Sequence, residues 1–249
     1  MDLYYQVNGE GLPIVLLHSG GTDLRDWTFL APLLTKQYKV VTFDVRGIGK
    51  SPSPNEKANY VEDLLLLIDH LELETATLVG HSIGGQIATE FALNYPEKVK
   101  NLILIAPSLS GFNYSQAFNE YINSINQVAP DLDQMLDISL SGSLYQVVMS
   151  SPRREIMIQM HRDYFSRILT WPNFEMIWPQ PPAVERLDEI SMNTLFIIGE
   201  KDFQDNHHVA EHFKKVPNLR FFEIANADHM VTLTHPEELF LKIDNFMKE

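Results

Sequence analysis

Six short apolar runs that scarcely alternate constrain the fold of this chain more than any other feature. They are Ile14–His18 (IVLLH), Lys39–Asp44 (KVVTFD), Ala76–His81 (ATLVGH), Asn101–Ala106 (NLILIA), Thr194–Glu200 (TLFIIGE) and Arg220–Ala225 (RFFEIA). Each is rich in valine, isoleucine or phenylalanine and ends in a turn. A strand with one wet face alternates polar and apolar residues, so runs like these predict strands buried on both faces. Leu3–Val7 (LYYQV) is shorter and more alternating, which predicts an edge or hairpin strand. Helical patterns lie between the runs. Asn59–Leu73 places apolar residues at Val61, Leu64, Leu65, Ile68 and Leu71, three and four apart. Further helical patterns follow Ser82, follow the run at Thr194–Glu200, and close the chain with Pro236 at a first helical position. Alternating strands and helices imply an α/β chain with a mostly parallel sheet covered on both sides.

The alternation breaks from about Gly111 to Glu189, where helical patterns occur without a buried strand. This stretch holds Trp171 and Trp178 and a proline-rich return, WPQPPAVERL. It reads as a helical insertion, residues 111–189, in a core formed by 1–110 and 190–249. The length of 249 residues suits such an arrangement. A net charge of −14 argues against a nucleic-acid partner and against anionic membrane surfaces. The longest apolar stretch, Leu64–Ile68, is too short to span a bilayer. The absence of cysteine excludes disulfides, thiolate nucleophiles and cysteine–zinc sites. It also fits the cytoplasm, as does an N-terminus without a basic segment followed by an apolar core.

Gly80-His81-Ser82-Ile83-Gly84 is a Gly-x-Ser-x-Gly sequence between a predicted strand and a predicted helix. A turn that sharp forces the serine into a strained backbone conformation and lifts its hydroxyl clear of the sheet. Side chains two residues away on either side would collide, which explains the glycines. A serine hydroxyl is a weak nucleophile and needs a base, itself oriented by an acid. Asp202 lies just beyond one buried run and His229 just beyond the next. Residues past the carboxyl ends of neighbouring parallel strands gather on one sheet edge, the edge of Ser82. The order Ser82, Asp202, His229 is therefore that of a nucleophile, an orienting acid and a base. The turn at Ser19-Gly20-Gly21 offers the Gly20 N–H as one oxyanion donor, and the Ile83 N–H offers the second.

These stretches resemble the α/β-hydrolase superfamily, in its serine-nucleophile branch of esterases and enol-lactone hydrolases. Phe43–Pro52 (FDVRGIGKSP) and Asn94–Pro107 (NYPEKVKNLILIAP) resemble two further stretches of that family. The resemblance covers nearly all of the chain except the insertion, which sits where the family places a helical cap. It implies a mostly parallel, doubly wound sheet of about eight strands with a cap after the sixth. It also implies structural roles for Asp44 and Arg46. Two departures stand out: Ser19, where the family usually has glycine, and Asp228 before His229, where glycine is commoner.

Other residues compete for attention. Asp205 is a rival acid to Asp202. His208 and His212, four apart beside Asp205 and His207, have a metal-ligand spacing, but a solvated helix face is the better reading and no metal is assigned. His18 and His81 read as shapers of turns. Arg153, Arg154, Arg162 and Arg167 share a predicted cap helix, where one could anchor a carboxylate or all could face water. The cap aromatics and methionines, Phe174 among them, predict an apolar pocket roof, with Met160, Trp171 and Trp178 as its lining. The resulting expectation is a serine hydrolase for a small, fairly apolar ester or lactone, needing no cofactor. Carbon–carbon cleavage of a diketone-like substrate, or slow-turnover ligand sensing with the same triad, are the alternatives.

Overall fold

Seven strands pair into one sheet in a computed structural model that describes residues 1–172 and 175–249. They are β1 (Tyr5–Asn8), β2 (Pro13–Leu17), β3 (Lys39–Phe43), β4 (Ala76–His81), β5 (Val99–Ile105), β6 (Asn193–Gly199) and β7 (Leu219–Ile224). Their spatial order is β1-β3-β2-β4-β5-β6-β7. Every pair is parallel except β1 against β3, so β1 is an antiparallel edge strand rather than a hairpin partner of β2. The seven runs legible in the sequence are these seven strands. The eighth strand implied by family resemblance has no counterpart among the described residues, and the helical insertion consequently follows the fifth strand, not the sixth.

The helices are α1 (Ala31–Leu34), α2 (Tyr60–His70), α3 (Ile83–Asn94), α4 (Gln116–Gln127), α5 (Leu132–Ser141), α6 (Gln146–Met149), α7 (Arg154–Ile168), α8 (Gln204–Phe213), α9 (Val231–Thr234) and α10 (Pro236–Met247). Strand periodicity divides the core in two. Val15, Leu17, Leu78, Leu102 and Phe196 pack in a cluster with residues of α2, α3 and α8. Ile14, Leu16, Val79, Ile103 and Leu195 pack in another with residues of α1 and α10. The helix α2 starts where the Asn59 side chain accepts the Glu62 N–H at 3.2 Å, and it buries Val61, Leu64, Leu67 and Ile68. The strand β7 departs from the sequence reading. It is the far edge of the sheet, with Phe221 45% and Phe222 36% exposed, because only β6 flanks it.

Two features of this architecture position the site. The chain runs from β2 to β3 on one side and returns to β4 on the other, so the carboxyl ends of β2 and β4 border a topological switch point. Open parallel sheets bind ligands in the crevice at such a point. Meanwhile α4 to α7 leave the sheet after β5 and form their own cluster. Met135, Leu136, Met157 and Met160 pack there with Met230 and Leu233, which follow His229 in the chain.

Candidate active site

Ser82 is the single residue between β4 and α3. Its φ of 53° and ψ of −116° lie where side-chain-bearing residues are rarely found. Surrounding contacts hold it there. Its N–H donates to the Ile105 carbonyl at 2.9 Å, and its carbonyl accepts the N–H of Ser108 at 2.9 Å and of Gln86 at 3.1 Å. A Cβ on Gly80 would strike the Gly84 carbonyl, and one on Gly84 would strike that of Leu17. Helix α3 packs against the sheet at backbone distance, and only glycine allows it.

Asp202 and His229 meet beyond the ends of β6 and β7. The His229 Nδ1–H donates to Asp202 Oδ2 at 3.0 Å, and Asp202 Oδ1 lies 3.2 Å away. The same Oδ1 accepts the Phe203 N–H and the Asn206 amide, each at 2.7 Å. Burial pushes the Asp202 carboxyl upward, but the charge and hydrogen bond of His229, with the donors of Asn206 and Phe203, hold it below the ordinary range. Burial likewise pulls His229 down, and Asp202 overrides this and raises it above 6.5. With Nδ1 committed to the carboxylate, Nε2 keeps a lone pair for accepting a proton. Ser82, Ile83, Gly20 and His229 all line one cavity of about 520 Å³.

The loop after β2 is fixed at Ser19 by hydrogen bonds to both its N–H and its carbonyl. The His18 ring donates from Nδ1 to the Ser19 carbonyl at 2.9 Å and accepts the Val45 N–H on Nε2 at 3.2 Å. The Thr22 hydroxyl donates to the same carbonyl at 2.8 Å. The Ser19 N–H donates to Asp26 Oδ2 at 3.0 Å. Among the described residues, the N–H groups of Gly20 and Ile83 find no protein acceptor. Both residues line the cavity with Ser82, which makes their N–H groups the candidate donors for an oxyanion.

Two neighbours of the site do more than the sequence reading gave them: Asp26, which it did not single out, and Asp228, which it noted only as a departure. Asp26, fully buried, binds the Ser19 N–H, His81 Nδ1 at 2.8 Å and the Thr232 hydroxyl at 2.5 Å. His81 Nε2 faces the His229 carbonyl at 2.9 Å. His81 is thus more than a turn shaper, since it links the serine turn to the loop of the base. Asp228 accepts the N–H groups of Val147 and Val148 on Oδ2, at 2.7 and 2.9 Å, and that of Met230 on Oδ1 at 3.1 Å. The departure from glycine therefore caps α6 and ties it to His229.

The cavity wall corrects the pocket expectation. Met160, Trp171 and Trp178 do not line it. The lining face of α7 is His161, Tyr164, Phe165 and Ile168, spaced three and four apart, and Met160 is fully buried in the cluster of the helical segment. Trp171 lies past the helix end, with its indole N–H on the Gly47 carbonyl at 3.2 Å. Trp178 packs at the edge of the sheet core. Phe174 lies outside the described residues. No Asp, Glu, Lys or Arg lines the cavity among the described residues.

A model of the alpha/beta hydrolase fold family matches residues 13–236. The chain belongs to that family. It is similar, at 25% identity over 257 residues and 100% of both chains, to pimeloyl-acyl-carrier protein methyl ester esterase of Legionella pneumophila (strain Lens). It is 31% identical over 205 residues to 2-hydroxymuconate semialdehyde hydrolase of Pseudomonas sp. (strain CF600), covering 78% of this chain and 72% of the relative. The enol-lactonase of Burkholderia xenovorans LB400 superposes with a TM-score of 0.79 at 20% identity, over 99% of this chain and 96% of the other.

The remaining candidates of this α/β-hydrolase are engaged elsewhere. Asp205 accepts the Ser115 N–H at 2.5 Å and its hydroxyl at 2.8 Å, at the start of α4. His212 packs edge-on against Phe112. Asp44 holds the Leu24 and Lys50 N–H groups at 2.9 and 2.8 Å, and Arg46 pairs with Asp63 and Asp2. Arg153 lies over the Phe29 ring, Arg154 pairs with Glu155, Arg162 pairs with Asp133, and Arg167 donates to the Ser51 carbonyl.

Proposed function

We propose that this α/β-hydrolase cleaves an uncharged carboxylic ester or lactone through an acyl-enzyme on Ser82. The observation that carries the reading is Ser82, held in its strained turn, sharing a cavity without Asp, Glu, Lys or Arg among its described lining residues with a His229 whose Nδ1 is bound to buried Asp202. In this reading the Ser82 oxygen attacks the substrate carbonyl while His229 Nε2 takes its proton. The developing oxyanion accepts from the Gly20 and Ile83 N–H groups. The tetrahedral intermediate collapses, His229 returns the proton to the leaving alcohol, and water repeats the sequence to release the acid. Asp202 keeps the ring in the tautomer that leaves Nε2 basic. No step calls for a metal or cofactor. The similarity to a methyl ester esterase and to an enol-lactonase supports the class of bond, and the lack of charged lining side chains supports an uncharged acyl group.

Carbon–carbon cleavage of a diketone-like substrate is the second reading, favoured by the similarity to 2-hydroxymuconate semialdehyde hydrolase. One assay separates the two. Neutral alkyl esters and lactones should turn over with kcat/KM at least about tenfold above that of a vinylogous diketone of similar size. The reverse ranking would favour the second reading.

A further inference from the structure

His161 is the least explained polar group in the cavity wall. It sits on α7, only 2% exposed, and its Nδ1 has no hydrogen-bond partner. Its neighbours are aromatic: the Tyr145 ring stands edge-on at 5.1 Å and the Phe165 ring at 6.0 Å. An apolar side chain of similar shape would fill this position without the cost of a buried, unpaired nitrogen. On the other side the ring presses on Gly21, where an added Cβ would come within 2.7 Å of both Nε2 and Cε1. Gly21 has a φ of +72°, so both its conformation and this contact call for glycine. The imidazole is thus wedged against the residue next to Gly20, the oxyanion donor.

We propose that His161 recognises an uncharged hydrogen-bonding oxygen, a hydroxyl or keto group, placed within a few bonds of the scissile carbonyl. The inference rests on the ester-hydrolase reading and narrows its substrate class. A neutral imidazole offers one donor and one acceptor, so either oxygen satisfies it. Burial drives the pKa of His161 down to about 3, which keeps the ring neutral at ordinary pH. Among the described residues no Lys or Arg lines the cavity, so a carboxylate at this point would have no guanidinium or ammonium group to balance it. The contact with Gly21 sets the location near the reacting carbon rather than at the chain end.

The test uses matched esters of one chain length, carrying hydroxyl or keto groups at the second, third or fourth carbon, or at the chain end, each beside its unsubstituted parent. The readout is the ratio of kcat/KM for polar over parent ester, compared between enzymes so that intrinsic reactivity cancels. At least one proximal substitution should give the wild type a ratio about tenfold above that of His161→Phe, with His161→Gln in between because it keeps a donor and an acceptor. Fluorophosphonate labelling of Ser82 confirms that each variant is assembled. Equal ratios in wild type and His161→Phe would overturn the inference. So would a wild-type enzyme that favours no proximal oxygen, a result independent of how the variants fold. Failure of every ester and of labelling would instead remove the hydrolase reading, and this inference with it.

Discussion

Asp26 Oδ2 and His81 Nδ1 lie 2.8 Å apart with both side chains sealed from solvent. Through this pair three segments around the cavity are joined: the loop after β2 by the Ser19 N–H, the turn of Ser82 by His81 itself, and the loop of His229 by its carbonyl. Burial pushes the Asp26 carboxyl upward, and His81, Thr232 and Ser19 hold it below the ordinary range. Asp26→Ala strips three donors of their acceptor at once. It should cost about 3–5 kcal/mol of stability, the loss typical of breaking a buried pair. Urea denaturation checks this, and a loss under about 1 kcal/mol would mean the network relaxes without cost.

The acid limb of the rate profile should report His229. The base must be neutral, and Asp202 raises its pKa above 6.5. The logarithm of kcat/KM should therefore rise with pH and level off only above that value. Asp202→Asn removes the charge that favours the imidazolium, so the limb should move to lower pH while kcat falls by about 10⁴. A limb that stays in place would mean another group titrates. The same shift has a stability sign. Because folding raises the His229 pKa, its contribution is full below the unfolded value and is lost as pH rises through the folded one.

Asp228→Gly should weaken this protein. The Val147, Val148 and Met230 N–H groups lose their acceptor, and two of them belong to the cap of α6. The expected loss is about 1–3 kcal/mol, with a fall in kcat as the His229 loop loosens. Thermal unfolding and ester kinetics measure both, and an unchanged melting temperature would show that solvent replaces these bonds freely.

Acyl selectivity should follow the residues that line the cavity. Phe118→Ala should change the relative kcat/KM of short and long acyl chains by about tenfold, since a methylene in an apolar pocket is worth roughly 1–3 kcal/mol. Trp178→Ala, outside the lining, should leave the ranking within about twofold. The opposite pattern would restore Trp178 to the pocket.

The five inner strands were legible because a strand buried on both faces has a simple sequence signature, and the two edge strands because their apolar runs are bounded by turns; the shared cavity of Ser82 and His229 was legible because each follows a strand end on one edge of the sheet. What stayed hidden depended on direction or partnership. The exposure of Phe221 and Phe222 follows from β7 being last in the sheet, a fact of order that an apolar run does not carry. Met160 and His161 are adjacent in sequence, and only the rotation of α7 decides which one meets the cavity. Asp26 looked like any loop aspartate, since His81 and Thr232, its partners, lie 55 and 206 residues away. Asp228 was visible as a departure, but its role as an acceptor for the Val147 and Val148 N–H groups needed α6 to be in place.

Labelling with a fluorophosphonate followed by peptide mass spectrometry tests most directly whether Ser82 is the nucleophile. The wild type should gain one adduct, located on Ser82, and lose ester hydrolysis in step with it. Ser82→Ala should gain none, with kcat lower by at least about a thousandfold. An adduct on another residue, or near wild-type turnover by Ser82→Ala, would contradict the account.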